Sequence, residues 1–452
     1  MSALAVDQTY WYAEPSSVET ASSAAGGSRI RLVTTPQPRQ QPFFSGTLST
    51  PRLAADLMLA LTQVVQSRFY VPPAMVARIL ANADPVITFG GGRLRFEGFS
   101  ACCGVYARID LLPGSYEADR ADPGTTNVDF NPPMRAALSR LRAQDAAKLL
   151  VSAGQVEWAT SRGCAIERKV KLPVRWLKGF VEIQSHQARM SPQFTLTSVG
   201  ARRFLNEIPR GAARGPVYAL PAGAAVRLSL SPLEGGVRVG GIERLKILEP
   251  VIRHAKSLVV HASEDGATGW EVNAAGSRFF LVLSPAASRG FSGEGRALFP
   301  LSETPVRNAL GAMRAALRWQ SVLDAKALAA QEGLDPESIT WALAQLGALG
   351  LVGYDLAEHA YFHRELPFDL SLVQQLQPRL RDARKLVAEG GVRFDTTGEA
   401  WVQGTGVEHR VRQVGDEWRC TCTWTAKHAG ERGPCKHILA ARIKSGEDDG
   451  ID

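Results

Sequence analysis

Four residues near the C-terminus have the types and spacing to do chemistry together: Cys420 and Cys422, then twelve residues, then Cys435 and His437. Three thiols and an imidazole are soft donors, and at about 2.0–2.3 Å they fill a tetrahedral zinc shell with no position left for water or substrate. Such a site is structural, not catalytic. The chain has only six Cys and eight His in 452 residues, so this crowding favours metal over a disulfide framework. Side chains two apart on a strand share a face, which lets Cys420 and Cys422 aim at one ion; two positions along a helix differ by about 200°. Cys435 then belongs in an approach turn beside Pro434, and His437 on the first turn of a helix running through Ala440 and Ala441 to Lys444. Between Gly415 and Cys435 the only large apolar side chains are Trp418 and Trp424, so metal binding worth about 10–16 kcal/mol replaces a missing core. Three thiolates leave a zinc site at net −1, which Arg419, Arg432 and Lys436 are placed to offset. His428, inside the twelve-residue loop, competes for the fourth position.

Other reactive residues suggest less. Cys102 and Cys103 are adjacent, Cys164 stands in a strand-like run, and all three are expected to be plain buried residues. His359 and His363, four apart, read as strand or turn residues, and the polar run from Gly124 to Asp129 reads as a turn. No P-loop, G-x-S-x-G, H-E-x-x-H or paired-carboxylate signature occurs, so the chain is expected not to be an enzyme.

The net charge of +8 is uneven: residues 161–260 hold 17 Lys/Arg against 6 Asp/Glu, while the rest of the chain is slightly acidic. Arg168, Lys169, Lys171, Arg175 and Lys178 are the candidate nucleic-acid contacts in this stretch, with Arg162 before them and Arg202, Arg203, Arg210 and Arg214 after. Trp176 and Phe180 are interleaved with them. Those two with Ile183 also fit the buried stripe of an amphipathic helix.

The elements that must position these residues belong to several domains, because single cores stop growing near about 250–300 residues. The expected fold class is α+β multidomain. Residues 1–48, rich in Ser, Gly, Gln and Pro, read as a disordered leader. An N-terminal mixed α+β domain follows over 49–215, with helices after Pro51 and after Pro73, strands from 86 to 111 broken by Gly90, Gly91 and Gly92, and a loop from 113 to 131. Residues 216–300 read as a β-rich domain. A capped helix to about Arg318, a second over 322–331, a third that Asp335 starts and Leu349 ends, and a possible wing, all within 301–370, resemble a winged-helix unit; a linking helix occupies 371–390, the zinc segment 391–445, and an acidic tail 446–452. No run of about 18 apolar residues could span a bilayer, and the N-terminus lacks a basic, apolar secretion signal, so the cytoplasm is expected.

The C-x-C-x12-C-x-H spacing, with the run from Trp424 to His437, resembles the SWIM-type zinc finger of bacterial proteins. That resemblance favours His437 over His428 as the fourth ligand. It implies one structural zinc. Such proteins look like companions of MoxR-type AAA ATPases and von Willebrand factor A proteins, which implies a protein partner of that kind. The function expected is therefore a non-enzymatic interaction or scaffold protein, with nucleic-acid binding through residues 162–214 and the zinc finger as the alternative. The third helix of the winged unit, from Asp335 to Leu349, has no Lys or Arg to meet phosphates, which favours the protein partner.

Overall fold

A computed structural model of the chain describes residues 17–19, 29–31, 42–69, 85–128, 130, 132–160, 163–169, 174–213, 215–293, 295–302, 307–366, 377–415, 417–428 and 432–448. The first part supplies strands β1 (Ser17–Glu19), β2 (Arg29–Arg31) and β3 (Phe44–Leu48), helix α1 (Pro51–Gln66), then β4 (Val86–Gly90), β5 (Arg93–Phe99), β6 (Val105–Leu111), β7 (Tyr116–Ala121) and β8 (Gly124–Asn127). Next come α2 (Pro132–Arg140), β9 (Ala147–Val151), β10 (Gln155–Thr160), β11 (Gly163–Arg168) and α3 (Val174–Gln187). The middle adds β12 (Ser191–Thr197), α4 (Ser198–Glu207), β13 (Val217–Ala222), β14 (Ala225–Ser229), β15 (Val237–Val239), α5 (Glu249–Ile252), β16 (Ser257–Ala262), β17 (Thr268–Ala274) and β18 (Ser277–Leu283). The last third holds α6 (Leu298–Ser302), α7 (Arg307–Ala316), α8 (Ala325–Glu332), α9 (Pro336–Ala348), β19 (Val352–Asp355) and β20 (Ala360–His363). It ends with α10 (Pro378–Ala388), β21 (Val392–Phe394), β22 (Ala400–Gln403), β23 (Glu408–Val414), β24 (Glu417–Cys420), α11 (Thr423–His428) and α12 (Lys436–Asp448). The architecture is mixed α+β. Among the described residues no helix is long and apolar enough to cross a membrane.

Local rules account for most of these elements. Pro51 starts α1, whose Leu53, Leu57, Leu61 and Val64 form one buried stripe. Gly91 and Gly92, with φ of 55° and 72°, make the two-residue turn that β4 and β5 need to pair as a hairpin. The Asp324 and Asp335 side chains cap α8 and α9, and Gly333 ends α8 in the left-handed conformation.

The strands assemble into an eight-stranded antiparallel sheet, in the order β12-β16-β17-β18-β6-β5-β4-β8, and a five-stranded one, β11-β10-β9-β3-β7. The eight-stranded sheet draws strands from both sides of the boundary expected after residue 215: β4, β5, β6, β8 and β12 share it with β16, β17 and β18. Pairing of β6 with β18, more than 160 positions on, is non-local and leaves no mark in a local pattern. The expected leader also ends early. Phe44, fully buried, lies in β3 between β9 and β7. Strands β7 and β8 occupy the expected loop of 113–131, while the helix expected after Pro73 lies outside the described residues. The expected acidic tail begins inside α12.

In β5 and β6 apolar and charged residues alternate, the usual pattern of an antiparallel sheet with one wet face. Leu94, Phe96, Ile109 and Leu111 line one face, and Arg95, Glu97, Arg108 and Asp110 the other, yet all eight are buried. The β19–β20 hairpin covers the charged face. Asp355 accepts ion pairs from Arg93 (3.2 Å), Arg95 (3.4 Å) and Arg108 (2.8 Å), and Arg364 pairs with Glu97 (2.5 Å). Phe362 lies beneath the Arg95 guanidinium, 3.9 Å from ring centroid to carbon. The region expected as a winged unit is thus three helices and a hairpin, with Leu323 bridged to Tyr361, docked onto the sheet.

Candidate metal centre

The C-terminal module is a four-stranded sheet, β21-β22-β23-β24, closed by α10 and α12. Its inner side chains, Val392, Ala400, Val402 and Val411, meet Leu380, Ala383, Ile438 and Leu439 in an apolar cluster that includes Cys422 and Cys435. Val181, Ala297, Leu298, Leu301 and Ala348 of the body belong to the same cluster, so the strands and helices of the module pack on a core shared with the body, and the expected shortage of apolar side chains is confined to the segment between β24 and α12. Counting apolar side chains only from 415 to 435 overlooked the helices on either side.

Cys420 closes β24, and Thr421 extends its ladder: the Thr421 N–H donates to the Arg410 carbonyl (3.1 Å), and the Arg410 N–H to Thr421 Oγ1 (3.1 Å). Strand-like alternation thereby turns Thr421 outward and buries Cys422 just before α11. Cys435 immediately precedes α12, and the Ile438 N–H points at its sulfur (3.4 Å). His437 lies in the first turn of α12. One ligand atom from each of Cys420, Cys422, Cys435 and His437 falls within 4.8 Å of the other three, the only such group among the described residues. The Cys420 sulfur is 3.8 Å from His437 Nδ1. A tetrahedral shell at ordinary bond lengths has edges of roughly 3.6–3.8 Å.

The protonation of Cys420, Cys422 and His437 depends on their neighbours in the group. Hydrogen bonds among the three sulfurs chiefly raise Cys420 and lower Cys422. Burial disfavours charge on His437, but the Cys422 and Cys435 sulfurs outweigh it and hold its pKa up at about 9. His437 Nε2 is buried with no hydrogen-bond partner, and His409 packs its ring against it, 4.3 Å between centroids. These donors fit a soft or borderline cation. The group can hold one metal ion.

His428 is not among the clustered donors; its ring packs at a tilt against Trp424, 4.4 Å between centroids. Of the cations expected nearby, Arg419 instead pairs with Glu417 (3.1 Å). The cation that grips the loop is one the sequence reading missed: Arg379, at the start of α10, donates to the carbonyls of Arg432 (2.7 Å) and Pro434 (2.8 Å). His409 was missed as well. No signal within the motif points to either.

The described residues of the basic stretch lie on different elements and differ in burial. Arg175 donates to the Ala101 and Cys102 carbonyls (3.0 and 3.3 Å), while Trp176, Phe180 and Ile183 are buried as a helix stripe. Lys178 is half-buried, and its pKa is lowered by burial and then by Arg379. Arg168 ends β11, Lys169 is exposed, and Lys171 lies outside the described residues. Arg202, Arg203 and Arg210 are exposed, on or just after α4.

Elsewhere, Cys102 and Cys103 are buried as expected, and burial pushes the Cys103 thiol up to about 12. Cys164 is exposed, contrary to expectation, because β11 is an edge strand. His363 accepts from the Trp319 N–H (2.7 Å), and His359 sits in the hairpin turn at a φ of 48°.

No protein-family model matches the chain, and no curated protein matches it. Among solved structures it is similar to the proliferating cellular nuclear antigen of Entamoeba histolytica, at 10% identity over 54% of this chain and 99% of that chain. The TM-score of 0.37 is too low for that likeness to speak to function.

Proposed function

We propose that this chain is a non-enzymatic interaction or scaffold protein whose C-terminal module is a SWIM-type zinc finger. Cys420, Cys422, Cys435 and His437 hold one structural Zn2+, which cross-links β24 to α12 and offers no open position for chemistry. The observation that carries this reading is the convergence of four soft donors, three of them buried, within 4.8 Å of one another. The partner is a protein of the AAA ATPase or von Willebrand factor A kind, met in the cytoplasm.

Two observations favour a protein over nucleic acid. In the winged-helix reading of residues 301–370, the wing is the β19–β20 hairpin, already engaged with the chain's own sheet. The helix that would enter a groove, α9, presents Glu337 and Thr340 outward and carries no cation. Capture experiments from the native cell, with the intact chain and with Cys435→Ser, test the reading. A protein retained only by the intact chain supports it. DNA or RNA binding at low salt that weakens steeply as salt rises would overturn it in favour of the alternative.

A further inference from the structure

Arg379 stands between the metal loop and the body. On one side its guanidinium takes the Arg432 and Pro434 carbonyls, and its Cζ lies 4.6 Å from the centroid of Trp424. The Trp424 indole N–H donates to the Gly433 carbonyl between them (3.3 Å). Three successive carbonyls leading into Cys435 are thus held by two side chains stacked on each other. On the other side lies Gly295, at a φ of 79°, where a Cβ would overlap the Arg379 guanidinium.

Gly295 leads into a segment anchored to the body. The Arg296 and Ala297 N–H groups donate to the buried Glu182 of α3 (2.8 and 3.1 Å). Ala297, Leu298 and Leu301 then share the apolar cluster of Leu380 and Leu439, and Arg442 of α12 donates to Ser302 Oγ (3.2 Å). Glu182 and Cys435 both lie within electrostatic reach of Arg379. One side chain therefore touches the loop that positions a metal ligand and the surface on which the module sits.

We propose that Arg379 is a positioning residue that couples metal loading to attachment of the module, residues 377–448, to α6 and α3. The inference rests on the metal reading above. Metal fixes Cys435, Cys435 fixes the carbonyls of 432–434, and those carbonyls hold the guanidinium against Gly295. Coupling of this kind is reciprocal: the factor by which metal strengthens the attachment is the factor by which attachment strengthens metal binding, so a loosened attachment weakens metal binding.

The test uses the full chain, with zinc affinity measured by competition against a chromophoric chelator and amide exchange followed with and without chelator. Arg379→Gln should lower zinc affinity about tenfold or more, the usual scale for groups that orient metal ligands. Arg379→Lys, which keeps the charge and loses the two-carbonyl fork, should fall between. Gly295→Ala touches no metal ligand and should weaken zinc binding in the same direction. Chelator should speed exchange of α6 amides in the parent protein.

Affinities of Arg379→Gln and Gly295→Ala within twofold of the parent would overturn the inference, as would α6 amides indifferent to chelator. The chelator experiment needs no substitution, so a misfolded variant does not shield the proposal. A parent chain that takes up no zinc refutes the metal reading itself; zinc in the parent with unaltered variants refutes only the coupling.

Discussion

Beneath the β19–β20 hairpin the chain holds a peripheral element with full charges, whereas at its C-terminus it uses a small apolar cluster and four soft donors. Asp355 meets Arg93, Arg95 and Arg108 in the first region, and Arg364 meets Glu97, which also accepts the Tyr106 hydroxyl (2.7 Å). Such groups are costly to desolvate, so their value lies in what happens when one is removed: a partner is left charged and buried. The metal donors lose their purpose together if any one is lost. Charges therefore meet where the hairpin covers the sheet, and the four donors, which can hold one metal ion, meet where β24 and α12 approach each other.

The sharpest way to break this contrast is Asp355→Ala, which leaves the buried Arg95 and Arg108 with Asp110 as their one shared carboxylate and Arg93 with Glu358. A loss of about 3–5 kcal/mol of stability is expected, read by denaturant unfolding, with metal content unchanged. A loss below about 1 kcal/mol would mean that the hairpin is held by packing instead. Next comes Arg364→Met, expected to cost about 3 kcal/mol by stranding Glu97, with Glu97→Gln in the same chain restoring about half. Purely additive costs would show that the pair does not act as a unit.

What was legible beforehand follows from the same contrast. The metal donors lie within 18 residues, so their types and spacing could be read directly, and His437 over His428 agrees with the observed cluster. The charged lock joins residues more than 250 positions apart, such as Arg95 and Asp355. Alternation in β5 and β6 correctly marks strands with two unlike faces, but no local rule says that a distant hairpin will cover the charged one. Arg379 and His409 were hidden for the same reason, since each reaches the metal loop only through tertiary packing. The start of α9 at Asp335 was readable because a cap is complete within four residues.

Acid separates the two regions further. Burial alone would raise the pKa of Asp355, but Arg108 and Arg95 outweigh it and hold the carboxyl well below the usual carboxylate range. A folded value below the unfolded one, about 3.9, means that its stabilisation is fully present above that pH and is lost as pH falls through it towards the lowered value. Hairpin amides in β19 and β20 should keep their exchange protection at about pH 5 and lose it progressively as the pH falls below about 4. Loss already at pH 6 would contradict the ion-pair account. The smallest effect is expected of His428→Ala, which removes a ring from Trp424 and should leave metal content at the parent level; a fall by half would return His428 to the ligand set.

Elemental analysis of the purified full chain beside Cys435→Ser, with amide exchange of residues 417–441 in each, addresses the metal assignment most directly. One zinc per chain is expected in the parent and none in the variant, with protection lost around α11 and retained in β5 and β6. A parent free of transition metal whose C-terminal segment stays protected in chelator would contradict it.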